Sequence, residues 1–420
     1  MANTYLTRTQ TAGNNQKFTY SCWFKVGDLN SSETSPRLLH TELSSVLYMR
    51  LNLRLSDSCK LDWYFASGGT DYYLRTNRSF RDTSAWYHLV IAADSTQGSG
   101  SDRMKMYING VQETSFAQSS YPPQNLDMAV NNNGTPMTIS KSAFSDGYFT
   151  GLMSYVAFVD GTAELPTIFG ETDSVTGQWK IKTDITPSVA WGTNGFLILK
   201  NGNSLTDEST NTNNFTLGGG TLTNTLDCPD NVFATMNSLI PAPNRTLNNG
   251  NTYISGSAAT DYSYSNTATL GAASGKYYWE MQYEAAASTV NPAVGIVEYG
   301  NYEFNQNITS GTGGYVTFRF DGARQINNVQ TTSYWTAPTS GQIVNFALDM
   351  DNLKFWIGVN GAWYGTTGNT NGDPANGTNP SATLTVGDWT PVVRFLDGAY
   401  EFNFGNGYFG TTAVTSAGTA

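Results

Sequence analysis

The chain has 420 residues, a length that suits two or three domains. Only 13% of the residues are charged, whereas 13% are aromatic and 42 are glycine, which favours a turn-rich all-β protein over a coiled coil, a helical repeat or collagen. The formal net charge of −11 repels phosphate backbones, so no nucleic acid partner is expected. No apolar stretch approaches the length of about 18 residues that a membrane helix needs, so no membrane insertion is expected.

The amino terminus and the cysteines favour synthesis in a reducing cytoplasm. The first residues contain no apolar segment of the kind that a secretory signal peptide carries. Cys22, Cys59 and Cys228 have neither metal-ligand nor redox spacing, and an odd, sparse set implies no disulfide framework. Buried free thiols are the expected state of these side chains.

The first 170 residues are predicted to form antiparallel strands separated by turns. Residues 18–26 and 47–55 alternate between apolar and polar side chains, so each predicts a half-buried strand, with the polar side chains from Tyr48 to Arg54 facing out. The other predicted strands are residues 61–65, 72–75, 86–93, 104–109, 137–140 and 148–159, with hairpin turns at residues 67–70 and 109–110. This pattern predicts a β-sandwich.

Residues 171–245, here called the connector, differ in character from the sequence before them. Hydrophobic runs become short, and clusters of Ser, Thr, Asn and Gly dominate. Apolar anchors such as Trp179, Trp191 and Phe215 remain, and a wholly structureless segment of this length is unusual in a compact domain. We therefore expect an extended bridge that packs over both neighbours and contains two or three short strands.

Residues 246–410 form a second strand-rich block, followed by a small polar tail at 411–420. Alternation at residues 276–284 places Tyr277, Trp279, Met281 and Tyr283 on one face. The same pattern recurs at residues 316–320, 344–348 and 355–359, and Asn360-Gly361 supplies a hairpin turn. The tail is expected to be flexible or to be ordered by a neighbouring chain.

The first block resembles the laminin-G/concanavalin-A-like jelly roll. The resemblance rests on AWYHLV at residues 85–90, MYING at 106–110, MTIS at 137–140 and FTGLMSYV at 149–156. It implies a two-sheet sandwich over residues 1–170 whose rim loops often bind glycans. Members of this family often hold a Ca²⁺ ion at that rim, but no matching ligands are found in this sequence.

The second block resembles SPRY domains. Six segments occur in the order of that family, namely SGKYYWE at residues 274–280, AVGI at 293–296, LDMDNLKFW at 348–356, VNG at 359–361, PVV at 391–393 and NFG at 403–405. The resemblance implies a bent two-sheet sandwich whose variable loops bind protein ligands in many relatives.

The connector resembles a bridge of bacteriophage proteins that joins a concanavalin-like domain to a SPRY-like one. The matching segments are NGFLI at residues 194–198, NTNNFT at 211–216 and DCPDNVFATMN at 227–237. Cys228 and Val232 stand where small polar residues are common, and the usual Asp/Ser start after the first segment is missing.

These resemblances imply a non-enzymatic bacteriophage virion protein, a tail fibre or fibre-associated adhesin that binds a host-surface glycan or receptor. It would be made in the bacterial cytoplasm, exposed on the particle, in contact with other virion proteins and homo-oligomeric. A capsid or tail decoration protein is the alternative, because the chain begins directly in a sandwich without a coiled-coil shaft. A polysaccharide depolymerase is the third hypothesis.

Catalytic residues are not expected. A glycosidase needs two carboxylates roughly 5–10 Å apart, and the nearest pair, Glu171 and Asp173, lies in the connector. A Ser/His/Asp or Cys/His site needs a histidine base, and the sequence has only two histidines. His88 is interpreted as a packed core residue, and His40 is placed near a loop. No cofactor is expected, although the acidic loops at residues 94–102 and 349–352 leave Ca²⁺ open as an alternative to a solvated turn.

Glycan binding requires exposed aromatic rings next to amide and carboxylate groups. Aromatic residues in predicted loops or at strand ends are therefore the candidate ligand-binding residues. They are Tyr72, Tyr73, Tyr299, Tyr302, Trp335, Trp363 and Tyr364.

Overall fold

The computed structural model divides the chain into two compact units. The first comprises Met1–Asn224 and Cys228–Val232, and the second Thr225–Asp227 and Phe233–Ala420. The structure describes residues 3–29, 35–142, 147–240, 245–256, 265–285, 292–299, 314–394 and 398–415. The fold is all-β, as predicted, and each unit is an antiparallel β-sandwich. No helix in the described part of the chain has the length and apolar character needed to cross a membrane.

The first unit consists of short to medium strands with little helix. Its strands are β1 (Tyr5–Thr9), β2 (Lys17–Lys25), β3 (Arg37–Ser44), β4 (Leu47–Arg54), β5 (Lys60–Ser67), β6 (Thr70–Ser79), β7 (Trp86–Asp94), β8 (Met104–Ile108), β9 (Val111–Gln112), β10 (Phe116–Ser120), β11 (Pro136–Ile139), β12 (Leu152–Asp160), β13 (Gly170–Thr172), β14 (Trp179–Ile181), β15 (Phe196–Ile198) and β16 (Thr216–Gly219). Its helical segments are α1 (Gly100–Arg103) and the 3₁₀ turns Leu55–Asp57, Pro166–Ile168 and Thr186–Ser188.

Two sheets of this unit enclose its main core. One has eight strands in the order β10-β6-β5-β4-β3-β11-β1-β16, and the other has six in the order β15-β12-β2-β7-β8-β9. The predicted inward side chains of β4, Met49, Leu51 and Leu53, lie fully buried in this core. The alternation predicted for this strand is therefore confirmed.

Both glycine turns predicted in the first unit are confirmed. Gly68 and Gly69 have φ values of +59° and +83° and link β5 to β6. Asn109 and Gly110, with φ of +48° and +79°, link β8 to β9. Two successive residues with positive φ are typical of the type I′ turn, whose twist matches that of the strands it joins.

The six-stranded sheet is buried on both faces, which differs from the half-buried strand predicted at residues 18–26. Apolar side chains just before and within the connector cover its second face. Those of Phe169, Ile185, Val189, Trp191 and Leu197 pack against β7, β8 and β12. The connector residues of this unit contribute four strands, β13 to β16, where two or three were expected.

His88 is enclosed between two indole rings on this covered face. Its ring stacks on Trp23 with 4.7 Å between centroids and on Trp179 with 5.9 Å. The Trp179 Nε1–H donates to His88 Nδ1 over 2.9 Å, so the ring proton sits on Nε2, which lies 2.9 Å from Ser21 Oγ. Burial lowers the pKa of His88 to about 3. The interpretation of His88 as a packed core residue is confirmed.

The NGFLI and NTNNFT segments fasten the connector to the first sandwich. Asn194 exchanges two hydrogen bonds with the backbone of Thr11, at 2.9 and 2.8 Å, and its own N–H donates to Asp160 over 3.1 Å. The Asn213 side chain donates to the Gly195 carbonyl over 2.8 Å. These asparagines therefore have a structural role in the first unit.

The second unit repeats the two-sheet plan with its own strands. They are β17 (Arg245–Asn248), β18 (Tyr253–Gly256), β19 (Ser265–Thr267), β20 (Lys276–Ala285), β21 (Ala293–Glu298), β22 (Tyr315–Arg319), β23 (Arg324–Ile326), β24 (Val329–Thr331), β25 (Ile343–Asp349), β26 (Lys354–Val359), β27 (Ala362–Trp363), β28 (Ala382–Thr383), β29 (Trp389–Arg394), β30 (Gly398–Asn403), β31 (Tyr408–Phe409) and β32 (Thr412–Ala413), with a 3₁₀ turn at Asn249–Asn251.

One sheet of the second unit has the order β17-β18-β30-β20-β25-β26-β27, with β28 also paired to β26, and the other has the order β19-β29-β21-β22-β23-β24. Trp279, Met281 and Tyr283 of β20 are buried in the core between them, as predicted. Tyr277, predicted on the same face, lies near the end of the strand and is 50% exposed.

Glu401 is a buried carboxyl in the second unit. It is 1% exposed and accepts a hydrogen bond from Thr252 Oγ1 at 2.8 Å and another from Asn249 Nδ2 at 3.2 Å. Burial raises the pKa of Glu401 to about 7, with a further contribution from the charge of Glu284, although its hydrogen bonds act in the opposite direction. This carboxyl therefore takes up its proton at a higher pH than an exposed glutamate does.

We predict that mild acid affects the two units in opposite directions. The unfolded pKa of histidine is about 6.5, and His88 and His40 in the first unit titrate near 3 when folded, so their stabilisation is present above about pH 6.5 and lost as the pH falls. The pKa of Glu401 is raised on folding, so its contribution is present below about pH 4.5 and lost as the pH rises towards 7. Each group changes stability by up to about 1.4 kcal/mol per pH unit within its window.

Calorimetry of the full chain between pH 7.5 and 5.5 checks this prediction. On acidification, the thermal transition of the first unit should shift down and that of the second unit up. His88→Gln should reduce the first response, with the contribution of His40 remaining, and Glu401→Gln should flatten the second, which also assigns each transition to its unit. Transitions that move together in both variants would contradict the assignment.

Candidate functional site

The outward side of the eight-stranded sheet in the first unit carries an unusual set of polar and aromatic side chains. Because the β4 residues that face the core are Met49, Leu51 and Leu53, the alternate residues point away from it. Strand register then places polar neighbours from four strands side by side, with Arg50 opposite both His40 and Tyr64. The side chains of this outer face of β3–β6 include Arg37, His40, Glu42, Tyr48, Arg50, Asn52, Arg54, Lys60, Asp62, Tyr64, Ala66, Asp71, Tyr73 and Arg75.

Three half-buried tyrosines form a row across β4, β5 and β6. The rings of Tyr48 and Tyr64 are 5.6 Å apart, and those of Tyr64 and Tyr73 are 6.4 Å apart with planes only 7° from parallel. The Tyr48 and Tyr64 hydroxyls lie 3.4 Å from each other. The row therefore offers apolar ring surface beside hydroxyl groups, a combination that suits sugar rings.

Four arginines flank the tyrosine row, and they fall into two pairs. Arg75 Nε lies 3.2 Å from Asp62 Oδ1 and Arg54 Nη1 lies 3.7 Å from Asp62 Oδ2, while Asp62 itself has no exposed surface. Arg37 and Arg50 have no carboxylate within ion-pair distance among the residues that the structure describes. Arg50 instead stacks on Tyr64, with 4.2 Å between its Cζ and the ring centroid.

His40 lies within β3, which corrects its predicted place near a loop. Its Nε2 is 3.5 Å from Glu42 Oε2, and the residue is 3% exposed. Burial, followed by the positive charges of Arg37 and Arg50, lowers the pKa of His40 to about 3. The imidazole is therefore neutral at physiological pH and contributes hydrogen-bonding capacity to the outer face without adding charge.

The structure separates the predicted pair Tyr72 and Tyr73. Tyr73 belongs to the tyrosine row on the outer face. Tyr72 points to the opposite side of β6 and packs against the core, with its ring 5.0 Å from that of Phe65. Consecutive residues of a strand cannot share a face, so only one of the two can contribute to this site.

The remaining candidates lie in the second unit. Trp335, Trp363 and Tyr364 are 5–7% exposed, so almost no ring surface of these three is available to a ligand, contrary to the exposure that the prediction required. Trp335 and Tyr364 pack in the second core, and Trp363 contacts Tyr278 edge to face at 6.3 Å. Tyr299 is 65% exposed at the end of β21. Tyr302 lies outside the described residues.

Tyr48, Tyr64 and Arg50 were not among the predicted site residues. Exposed aromatics were expected in loops and at strand ends, whereas this site lies in the middle of a sheet. The available signal was the alternation in residues 47–55, which already placed Tyr48 and Arg50 on one outward face. What was missing was strand pairing, because only register brings Tyr64 and Tyr73 next to that face.

In the acidic loops considered for Ca²⁺, carboxylates accept hydrogen bonds from residues of the same turn. Asp94 accepts hydrogen bonds from the Thr96 and Gln97 side chains at 2.6 and 2.7 Å, and Asp349 accepts from Asn352 at 2.9 Å. Across the described ranges, no group of three or more His, Cys, Asp or Glu side chains is arranged to hold a metal ion.

Comparison with protein families finds a match to the first unit. Residues 1–168 match the family described as the concanavalin A-like lectin/glucanases superfamily, in its laminin G form. This part of the chain is therefore similar to the concanavalin A-like lectin family, which its motifs also resemble. No curated protein sequence matches the chain.

Solved structures similar to the chain include SPRY and lectin-like sandwiches. The SPRY domain of human HERC1 shares 18% identity over 38% of this chain and 91% of its own, with a TM-score of 0.27. The heptameric SAP-like pentraxin of Limulus polyphemus shares 15% identity over 39% and 72%, with a TM-score of 0.29. Domain 4 of an arabinanase from Geobacillus stearothermophilus, solved with arabinotriose, shares 16% identity over 37% and 65%, with a TM-score of 0.27.

We predict that Asp62 is needed to hold the charged part of the outer face together. Asp62→Ala should lower the free energy of unfolding of the first unit by about 3 kcal/mol, since it removes a buried carboxylate from between two arginines. Chemical denaturation measures this loss. Asp57→Ala, which removes the more exposed ion pair of Asp57 with Lys60, is the matched control and should change stability little. Equal losses in both variants would contradict the prediction.

Proposed function

We propose that this protein is a non-enzymatic, glycan-binding component of a bacteriophage virion that attaches the particle to its host. The observation that carries the glycan-binding part is the row formed by Tyr48, Tyr64 and Tyr73 on the outer face of a concanavalin A-like lectin domain. Ring surface beside hydrogen-bonding groups is what sugar recognition requires. Such sites are individually weak, and repeated copies in a homo-oligomer would supply the avidity needed for attachment.

The virion assignment is supported by the resemblance of the connector to the bacteriophage bridge. The free thiols are consistent with synthesis in a bacterial cytoplasm, since Cys22 and Cys59 are buried and form no disulfide. On this proposal the protein is exposed on the particle, contacts other virion proteins, and presents its first unit to a host-surface glycan.

The state of the connector carboxylates argues against catalysis by that pair. Glu171 and Asp173 both lie 3.3 Å from Lys180 Nζ. Backbone N–H groups of Thr176 and Val175, together with Lys180, lower the pKa of Asp173 to about 2. A glycosidase needs one carboxyl whose pKa is raised so that it can donate a proton, and Asp173 is shifted in the opposite direction.

We predict that binding depends on the tyrosine row. Tyr64→Ala and Tyr73→Ala should each weaken binding of the purified protein to its target on an array of bacterial surface polysaccharides by about tenfold, equivalent to about 1.4 kcal/mol. Tyr277→Ala is the matched control, because Tyr277 is a half-exposed strand tyrosine of the second unit. Circular dichroism establishes that each variant is folded. Loss of binding in Tyr277→Ala or Tyr299→Ala alone would place the site in the second unit.

Cryo-electron microscopy of intact particles tests the virion part separately. Two-sandwich density at the tail, with the outer face of β3–β6 accessible, is the expected result. Density tiled over the capsid would instead favour a decoration protein, and a particle without this chain would refute the virion assignment while leaving glycan binding to be judged by the array.

A further inference from the structure

We propose that the outer face of β3–β6 selects an acidic glycan, and that Arg50 and Arg37 bind the carboxylate or sulfate group of its sugar. This inference rests on the proposed glycan-binding function and specifies its ligand class. It starts from two guanidinium groups that lack a carboxylate partner among the described residues, although two other arginines of the same face share one.

Arg50 is held by two tyrosine rings, and its guanidinium donates no hydrogen bond to another described residue. Its guanidinium lies 4.2 Å above the ring of Tyr64 and 5.9 Å from that of Tyr48. Stacking engages the flat face of a guanidinium, whereas its five N–H groups point outward in the plane. The Arg50 Nε is buried and has no hydrogen-bond acceptor in the described part of the chain. A rigid, planar donor set of this kind fits the two oxygens of an acidic group.

Arg37 places a second positive charge near Arg50. One of its terminal nitrogens donates to the Ser35 carbonyl over 2.8 Å, but its buried Nε has no acceptor among the described residues. Burial, followed by the nearby charge of Arg50, lowers the pKa of Arg37 to about 10, so the group still carries its charge at neutral pH. An anion bound between the two guanidinium groups would relieve their repulsion.

Asn52 adds a further unsatisfied polar atom to the same patch. It lies opposite Arg37 on β3 and Asp62 on β5, is 1% exposed, and its Oδ1 has no partner among the described residues. The Nε of Arg54 is buried in the same unsatisfied state. Buried polar groups are nearly always hydrogen-bonded, so a concentration of unsatisfied ones marks a place where a polar ligand completes the structure.

Among the described residues, the carboxylates of this face do not form ion pairs with Arg37 or Arg50. Asp62 is held by Arg54 and Arg75, Glu42 lies beside the neutral His40, and Asp71 is hydrogen-bonded to the Tyr64 hydroxyl. A neutral sugar hydroxyl could satisfy donors but would leave the charges of Arg37 and Arg50 uncompensated in a partly buried site. An acidic sugar supplies both acceptors and charge, while its ring can lie along Tyr64 and Tyr73.

Paired glycan probes test the inference with the full-length protein. Calorimetric titration compares polygalacturonate with its carboxyl-reduced form, and dextran sulfate with dextran, which distinguishes a carboxylate ligand from a sulfate one. We expect one acidic member to bind at least tenfold more tightly than its neutral partner. Arg50→Gln should remove at least tenfold of that affinity, Arg50→Lys should restore it only in part, and Arg81→Gln, at an exposed arginine of the same unit, should leave it unchanged.

The outcomes separate this inference from the proposed function. Equal binding of acidic and neutral partners, with both lost in Tyr64→Ala, would overturn the acidic ligand and keep glycan binding. Acidic binding that survives Arg50→Gln would overturn the assignment of Arg50. If none of the four probes binds but a neutral glycan binds on the polysaccharide array, the acidic ligand is also overturned. If nothing binds on the array either, glycan binding itself is refuted.

Discussion

The register between β4 and β5 is the constraint on which the candidate site depends. Eight consecutive residue pairs, from Leu47 opposite Ser67 to Arg54 opposite Lys60, fix which side chains enter the core and which form the outer face. A slip of one residue would place Arg50 in the core and Leu51 on the surface. The large buried residues of the two strands, Trp63 and Phe65 among them, make such a slip prohibitively costly. The same core that stabilises the sandwich therefore positions the polar groups on its other side.

The outward sides of the two sheets of the first unit differ in how far other parts of the chain cover them. The six-stranded sheet is covered by the connector, which buries His88 between Trp23 and Trp179. A face covered by this packing has no room for a ligand, and the low pKa of His88 reflects the same exclusion of water. The eight-stranded sheet keeps a row of half-buried tyrosines. Its outer face of β3–β6 therefore combines the aromatic and polar groups that recognition requires.

Strand content and core residues could be predicted from the sequence because they depend on local alternation. Residues 47–55 and the turn at Gly68 and Gly69 are examples in which side-chain pattern and backbone preference agree. Burial of β2 on both faces could not be predicted in this way. It depends on packing by Trp179 and Ile181, more than 150 residues further along the chain, and alternation says nothing about what covers a polar-looking face.

The site was harder to predict because it also depends on contacts that the local sequence pattern does not reveal. Trp335, Trp363 and Tyr364 occur in turn-like sequence, yet their rings are buried, because large aromatic side chains pack wherever a core can reach them. Tyr64 and Arg50 are separated by a hairpin and meet only through pairing of β4 with β5. A ligand-binding surface built across neighbouring strands is a property of register, which a single sequence specifies only indirectly.

The acidic character of the whole chain is compatible with an acidic ligand at this face. At physiological ionic strength, charges more than about 8 Å apart are largely screened, so the net charge of −11 acts mainly on approach and weakly on a group already in contact with Arg50. General repulsion disfavours loose association with polyanions, while two partly buried guanidinium groups favour one bound anionic group. This combination yields selectivity, because only a ligand whose sugar ring fits the tyrosine row brings its charge close enough to the arginines to overcome the repulsion.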